Sequence, residues 1–590
     1  MCGIAGFVGN QEAASILLGA LEKMEYRGYD SAGLATVTNG QLWVKKDTGK
    51  LSEVQEKHHM DRLPGQCGIG HVRWATHGQV TTAGAHPHLD CHSKIAIVHN
   101  GIIENYQELY RRLCRKHKFT SDTDTEVVAH LIEERIEEGN SLEEAVHYVT
   151  GELKGSYALA AVYAGEPGKL VATRRDSPLV VGIGADGNFI ASDALSFLNR
   201  TKRVIFIEEG ETVVMTSDEV YLLNSGKDRY TREPVELDWA WRGADKGDYD
   251  FFMLKEIMEQ PEAIRCAVME SKDSVMEIAM EILRARKVVF TACGTSRYAA
   301  LIGRYLLSRI VGIFTDVVIA SEFGYFSDSI DKNTLVIAVS QSGETADVMD
   351  GVRKAKESGA RILSVVNVVG SSLARTSDHV IYLNCGPEIG VAATKTFISQ
   401  LVIFYMLGFA MANRLNEGVD KLMAVANLIE GQVGHSHREI PGIAERLRER
   451  DKFYYIARGI NFAVAGEGAL KLKEISYVHA EGIPAGELKH GSLALIDRGT
   501  PVVAICPRDY TFDEMLSNIA EAKARGAWII GVSDKYDTMF DDWIKIPEVE
   551  EIFYPLVSVI PLQIMAYHSS VVRGRDPDKP RNLAKSVTVK

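Results

Sequence analysis

Short apolar runs, closed by glycine or by Asn/Asp turns, fill the first part of the chain: Gly3 to Gly9, Gly33 to Thr38, Ile95 to His99, Ala158 to Tyr163, Val180 to Ile183 and Val204 to Ile207. Two stretches break this strand pattern with apolar residues three or four positions apart. Glu12 to Met24 predicts one helix, and Asp124 to Glu137 predicts another, behind a Thr/Asp-rich start suited to capping. This mixture predicts an α+β region built on antiparallel sheet. A polar stretch from about Asn224 to Tyr249, marked by Trp239-Ala240-Trp241-Arg242-Gly243, then changes the pattern. Beyond it apolar strand runs alternate with longer helical segments, as parallel α/β units require. The longest apolar run, Leu401 to Ala412, is shorter than the roughly 20 residues that a bilayer crossing needs and predicts a buried helix.

The second part of the chain repeats itself. Lys287-Val-Val-Phe-Thr-Ala-Cys-Gly-Thr-Ser has the strand-then-glycine shape of Lys452-Phe-Tyr-Tyr-Ile-Ala-Arg-Gly-Ile-Asn, and Thr334-Leu-Val-Ile-Ala-Val-Ser matches Thr500-Pro-Val-Val-Ala-Ile-Cys at a similar offset. Two copies of one doubly wound parallel α/β domain follow from this. The expected organisation is a first domain over 1–224, a linker over 225–249, α/β domains over 250–420 and 440–575, and a C-terminal tail over 576–590.

With 590 residues the chain exceeds what one hydrophobic core usually supports, so several domains are expected. The formal charge of -13 and the lack of a long Lys/Arg block exclude a protein built to neutralise nucleic-acid phosphates. Neither nucleic acid nor membrane is an expected partner. Eight scattered cysteines without a C-x-x-C pair, and a start without an apolar signal region, point to the reducing cytoplasm.

Candidate chemistry begins at Cys2-Gly-Ile-Ala-Gly6. Removal of Met1 would place a thiol and a free α-amino group on one residue. An α-amine with a pKa of about 7.7–8.0 can take the thiol proton, so Cys2 could supply both nucleophile and base. His86, His88, Asp90, Cys91 and His92 are dense enough to suggest zinc, but their spacing matches no common zinc pattern. No metal and no cofactor are expected. In the second part, Ser340-Gln341-Ser342-Gly343-Glu344-Thr345 lies between an apolar strand (Leu335 to Val339) and a helix (about Ala346 to Glu357). Helix N-terminal N–H groups and small hydroxyl side chains make such a turn an anion site. Cys293-Gly294-Thr295-Ser296 is a second turn of that kind, and neither has P-loop spacing. Glu474 stands three residues after Lys471, which places both on one helix face.

The first part resembles the glutaminase domain of class II amidotransferases, through Cys2-Gly-Ile-Ala-Gly6, Tyr26-Arg-Gly-Tyr-Asp-Ser-Ala-Gly33, His71-Val-Arg-Trp-Ala-Thr-His-Gly78, Ala85-His-Pro-His88, Val98-His-Asn-Gly-Ile-Ile-Glu-Asn105 and Ser121-Asp-Thr-Asp-Thr-Glu126. The resemblance implies an Ntn-type antiparallel sandwich. It implies Arg73 for the glutamine α-carboxylate, Asp124 for the α-ammonium, and Thr76, His77 and His86 lining the pocket. Trp74 would stand at the exit, and Asn100 with Gly101 would form the oxyanion hole. The second part resembles sugar isomerase (SIS) domains, with Glu388-Ile-Gly-Val-Ala-Ala-Thr-Lys395 and Glu467-Gly-Ala-Leu-Lys-Leu-Lys-Glu474 in order after the two hydroxyl turns.

Gly486-Glu-Leu-Lys-His-Gly491 and Arg581-Asn-Leu-Ala-Lys-Ser-Val-Thr-Val589 narrow the resemblance to the glutamine:fructose-6-phosphate amidotransferases over essentially the whole chain. That family implies glutamine and fructose 6-phosphate as substrates, glucosamine 6-phosphate as product, and an internal ammonia channel gated near Trp74. It further implies phosphate binding by the turns at 293–296 and 340–345, with Val391, Ala393 and Ala584 in the sugar site. His490 would open the sugar ring from a neighbouring subunit of a homodimer, Glu474 would move the C1/C2 proton beside Lys471, and Lys585 on a closing tail would form a Schiff base. Ala393 stands where the compared bacterial pattern has Ser, Ser492 replaces a Pro, and Gly482-Ile-Pro484 also departs. Three other readings stay open: a phosphoribosyl-type amidotransferase, a deaminase or deglycase built on the SIS pair, and a non-catalytic sugar-phosphate sensor.

Overall fold

A computed structural model of the protein describes residues 2–75, 77–237 and 246–588. The candidate pocket residue Thr76, the Trp239–Asp245 marker and Val589 of the tail motif therefore lie outside the described residues, as does Met1. The chain divides into two compact units, one comprising Met1–Trp241 with Glu344–Ala346 and Ala584–Lys590, the other Arg242–Gly343 with Asp347–Leu583.

In the first unit two antiparallel sheets face each other. The larger has eight strands in the spatial order Val235–Glu236, Arg203–Phe206, Val180–Ile183, Gly187–Ala191, Gly3–Gly9, Cys67–Arg73, Ser31–Thr38, Gln41–Thr48. The other has seven, with Ile95–Ile103 and Gly155–Tyr163 paired over nine residues near one end. Period-two alternation explains the packing. Ile4 and Val8 point between the sheets into a core with Ile69, Val98, Ala160 and Ile190. Phe7 points the other way onto Phe189, on the face that Ala13–Glu22 covers. The outer face of the second sheet carries Ile95, Ile97 and Leu159 against Val128, Ile132 and Val146 of the helices Glu126–Glu137 and Leu142–Thr150. The result is a four-layer helix, sheet, sheet, helix sandwich.

The expected strands are present with ends shifted by a few residues, and three helices beyond the two expected are formed: Leu51–His58, Tyr106–Leu113 and Leu142–Thr150. Their short amphipathic patterns are easily read as turns. Leu142–Thr150 nonetheless carries a capping box between Ser141 and Glu144. The expected cap of the 126–137 helix does not form, because Thr125 and Asp124 direct their side chains elsewhere, as described below. Strands Arg229–Tyr230 and Val235–Glu236 extend the two sheets into the stretch read as linker.

The second unit contains two five-stranded parallel sheets of identical topology. One runs Asp316–Ile319, Lys287–Ala292, Thr334–Ser340, Arg361–Val366, His379–Tyr382, and the other His479–Pro484, Lys452–Ala457, Pro501–Ile505, Trp528–Ser533, Asp542–Lys545. Each has the strand order 2-1-3-4-5, the doubly wound pattern whose switch point lies between its first and third strands. The internal repeat thus corresponds to two copies of one fold. Helix Lys395–Met411 is buried on all sides, as its uniform apolarity requires. The helical segment Glu551–Val572 is long and apolar enough to cross a membrane by length and composition, but 83% of its 18-residue apolar window is buried within the protein. Leu562 and Met565 there share a core with Leu472 and Ile429, and Gln563 accepts a hydrogen bond from Gln260 (2.8 Å).

Phe404 stacks edge-on against Phe290 of the first parallel sheet (5.4 Å between centroids) and lies over Gly303. Phe404→Ala should therefore lower stability by about 3–5 kcal/mol, read from the denaturant midpoint. Phe314, 89% exposed, provides the control; an equal effect from Phe314→Ala would contradict this packing account.

Candidate active site

Cys2 immediately precedes the Gly3–Gly9 strand, which is paired on both sides. The thiol is buried, and burial pushes its pKa up; the Trp74 backbone N–H, donating to Sγ at 3.2 Å, opposes this. The Cys2 carbonyl accepts from Asn100 Nδ2 (3.0 Å) and Arg27 Nε (3.3 Å). Asn100 also donates to Ser192 Oγ (2.8 Å), which accepts from Ile4 N–H as well (2.9 Å). His71 Nε2 lies 3.0 Å from Asn100 Oδ1 and 3.0 Å from the His99 carbonyl. Both are acceptors, so Nε2 must carry the proton. Burial holds the His71 pKa down to about 3, so the ring is neutral. Gly101 follows with φ +115°, and a Cβ there would lie 2.0 Å from the Ser156 carbonyl. Only glycine fits that bend.

Arg73 and Asp124 are both buried. Arg73 donates to the carbonyls of His77 and Gln79, which draws the 77–79 loop over the guanidinium. Asp124 accepts from Ile103 N–H (2.7 Å). Among the described residues neither has an ion-pair partner of opposite charge. A buried lone charge is costly, and one of each sign suits the α-carboxylate and α-ammonium of a free amino acid. Trp74 packs edge-on to Tyr29, and His77 to Tyr106.

The histidine-rich stretch separates in space. His86 stacks on His71 (4.2 Å between centroids), its Nε2 lies 3.1 Å from Thr125 Oγ1, and His88 Nε2 lies 3.1 Å from Thr123 Oγ1. Thr125 Oγ1 is also 2.8 Å from His99 Nδ1, which explains why it does not cap its helix. Cys91 turns away from this group. Sequence reading gave no role to His71, Ser192, Arg27 or Thr125. His71 lay within a recognised motif, whereas Ser192, at the end of the Gly187–Ala191 strand, carried no local signal.

Both hydroxyl turns leave the switch point of the first parallel sheet, Cys293–Ser296 after strand Lys287–Ala292 and the 340–345 turn after Thr334–Ser340; Ser340–Gly343 belong to the second unit, whereas Glu344 and Thr345 are grouped with the first. Gly343 takes φ +65° where a Cβ would lie 2.1 Å from Ser371 Oγ, and its N–H donates to Ser340 Oγ (3.0 Å). Gln341 accepts from Asn367 N–H (3.1 Å), and Ser296 Oγ accepts from Gln400 (2.9 Å). Buried Glu388 organises the loop holding Val391 and Ala393 by accepting from Thr394 N–H, Thr396 N–H and Thr396 Oγ1 at 2.8–3.1 Å.

Lys471 and Glu474 meet on one face of the Asn461–Ser476 helix, with Nζ 2.6 Å from Oε2. Lys471 also donates to Thr295 Oγ1 (2.8 Å) and lies 3.5 Å from Glu467. One ammonium therefore serves two carboxylates. Glu474 is the closer, and burial pushes fully enclosed Glu467 up to about 8. Glu467, quoted in its motif without a role, is thus a proton-holding group against the turn at Thr295. His490 is exposed at the end of the 3-10 turn Ala485–His490. Ala584 and Lys585 are half-buried and belong to the first unit; within that unit Ala346 N–H donates to the Val587 carbonyl (2.9 Å).

A glutamine amidotransferase domain model matches residues 71–199, and a SIS domain model matches 281–410 and 446–573. A Thermococcus kodakarensis protein named glutamine--fructose-6-phosphate aminotransferase [isomerizing] is 49% identical over all of both chains, and one of the same name from Methanothermobacter thermautotrophicus is 48% identical over all of both. This chain belongs to the isomerizing glutamine--fructose-6-phosphate aminotransferase family. The solved C-terminal domain of glucosamine-fructose-6-phosphate aminotransferase from Francisella tularensis covers 57% of this chain and 99% of its own, at 34% identity and a TM-score of 0.53.

The raised Glu467 pKa carries a signed consequence. The unfolded carboxyl ionises near 4.5, whereas the folded one keeps its proton to about 8. Across that window the folded state binds more protons, so stability falls as pH rises. Between pH 5 and 8.5 the melting temperature of wild type should fall relative to that of Glu467→Gln. Parallel profiles would show that Glu467 is ionised throughout.

Proposed function

We propose that the chain transfers the amide nitrogen of glutamine to fructose 6-phosphate, giving glucosamine 6-phosphate and glutamate. The observation that carries this reading is the buried thiol of Cys2 beside Asn100, with lone buried Arg73 and Asp124 available for an amino acid, in a chain that also presents two hydroxyl turns at a parallel-sheet switch point. Once Met1 is removed, the α-amine of Cys2 takes the thiol proton and the thiolate attacks the glutamine amide carbon. Asn100 Nδ2 and Gly101 N–H stabilise the oxyanion. The neutral His71 ring holds the Asn100 carbonyl and thereby aims its NH₂. Arg73 receives the α-carboxylate as a planar fork, Asp124 the α-ammonium, and Thr76, His77 and His86 the remainder of the pocket.

The α-ammonium of Cys2 returns its proton to the departing nitrogen, the C–N bond breaks to leave a Cys2 thioester that water hydrolyses to glutamate, and the ammonia passes within the enzyme to the sugar, with Trp74 at the exit. The serine and threonine hydroxyls at 340–345 and the turn at 293–296 hold the phosphate, and Val391, Ala393 and Ala584 contact the sugar. Lys585 forms the Schiff base with the ketose carbonyl, releasing water, and ammonia then adds at C2 and displaces the Lys585 amine to leave the sugar imine. Glu474 moves the proton from C1 to C2, and Lys471 balances its charge. Exposed His490 opens the ring of a sugar held by a second copy, which makes the working enzyme a homodimer. All eight cysteines are unpaired, in keeping with a cytoplasmic enzyme.

Product formation from fructose 6-phosphate with either glutamine or ammonium, using protein with verified Met1 removal, tests the coupled reaction. Cys2→Ala should lose the glutamine-dependent activity and keep the ammonium-dependent one. Glutamate release without an aminated sugar would keep the first half-reaction and exclude this acceptor. Asn100→Ala should lower glutaminase kcat by about 10²–10³-fold; a variant within a few-fold of wild type would remove Asn100 from the oxyanion site.

A further inference from the structure

Cys91, which leaves the histidine-rich stretch, enters a second cluster in the first unit. Its Sγ lies 3.5 Å from His117 Nδ1 and 3.7 Å from His130 Nδ1. Both of those nitrogens lie 2.9 Å from Glu133 Oε2. All four ligand atoms fall within 4.8 Å of one another. The side chains of His117, His130 and Glu133 are at most 6% exposed. We propose that Cys91, His117, His130 and Glu133 bind one zinc ion as a closed structural site, against the expectation drawn from linear spacing.

The donor set is of the right kind and number. One thiolate, two imidazoles and one carboxylate are ligands that zinc accepts in tetrahedral array. Zinc–sulfur and zinc–nitrogen bonds of about 2.3 and 2.0–2.1 Å at a tetrahedral angle hold S and N about 3.5 Å apart, close to the two separations found. The two negative ligands balance the dication.

The surroundings are those of metal ligands. A metal-bound histidine turns its other nitrogen to a carboxylate. Here His117 Nε2 is 3.6 Å from Glu134 Oε1, and His130 Nε2 is 3.8 Å from Glu126 Oε1. The Lys118 backbone N–H points at Cys91 Sγ (3.4 Å), as suits a thiolate. A neutral imidazole carries only one N–H, yet each ring has carboxylate oxygen near both nitrogens. Without a metal, both Nδ1 atoms converge on the one Glu133 oxygen and neither Nε2 makes a hydrogen bond among the described residues, with the rings 4.9 Å apart between centroids. With zinc at Nδ1 each ring is neutral, and its one N–H faces the outer carboxylate.

The ligands come from three places: the turn after Leu89, the segment before the helix Glu126–Glu137, and that helix itself. Only His130 and Glu133 are near in sequence, which is why no linear pattern announces the site. The ion would tie the turn after Leu89 to the helix whose preceding residues are Asp124 and Thr125.

The test is metal analysis of the full-length protein purified without chelator. About one zinc per chain is expected, and Cys91→Ser and His117→Gln should each retain only a small fraction of it. Chelator-stripped wild type, titrated with zinc against a chromophoric competitor, should saturate at about one equivalent. Cobalt added instead should give a thiolate charge-transfer band that Cys91→Ser lacks. If a variant fails to fold, the wild-type measurements decide alone. Wild type that neither carries zinc nor takes up one equivalent would overturn the proposal, as would a folded Cys91→Ser protein with a full complement.

Discussion

The hydrogen bond from Asn100 to the Cys2 carbonyl is the point at which the two sheets of the first unit are pinned together. Asn100 lies on Ile95–Ile103 of one sheet; Cys2, His71 and Ser192 lie on or beside Gly3–Gly9, Cys67–Arg73 and Gly187–Ala191 of the other. All of these groups are buried, where an unmet polar atom costs about 1–3 kcal/mol. The network therefore forces one register between two faces that otherwise carry Ile, Val and Ala, side chains able to pack in more than one way. Cys2 is located by the same bonds that fix the sandwich.

The second unit solves placement differently. Parallel strands in the order 2-1-3-4-5 part at the switch point, so the turns after the first and third strands must diverge and leave a crevice. Nothing about Ser340 or Thr295 is needed to make that crevice; the chain topology makes it, and the side chains furnish it. Only the Lys471 pair adds specific electrostatics. Because the second sheet copies the first without copying Ser340–Thr345, the repeat supplies a scaffold twice and this hydroxyl turn once.

Period-two runs and glycine turns made both sheet types legible, and the repeat disclosed the paired α/β domains, because strand burial writes itself into local sequence. Candidate residues were legible where chemistry clusters along the chain, as at 71–78, 98–105 and 340–345. Ser192, Arg27 and the Cys91 cluster were not, since their partners lie as far as 188 positions away. The failed cap at Thr125 has the same cause. Its hydroxyl lies between the buried rings of His86 and His99 and is therefore not turned back onto its own helix. Local propensity was outbid by tertiary need at a site-bearing segment, where such conflicts are expected.

The two units also differ in what they leave uncompensated. Among the described residues Arg73 and Asp124 are buried without partners of opposite charge, so the unliganded first unit bears a desolvation cost that a zwitterionic ligand would relieve. Such a pocket gains specificity from its own instability, because a ligand lacking either charge leaves one group unpaired. Around Lys471 the excess is of carboxylate instead, and the protein meets it by keeping a proton on Glu467 near neutrality. A site that binds a zwitterion can hold fixed charges in waiting, whereas one that must pass protons between sugar carbons needs groups whose charge can change. The arrangement of charge in each unit suits the kind of step proposed for it.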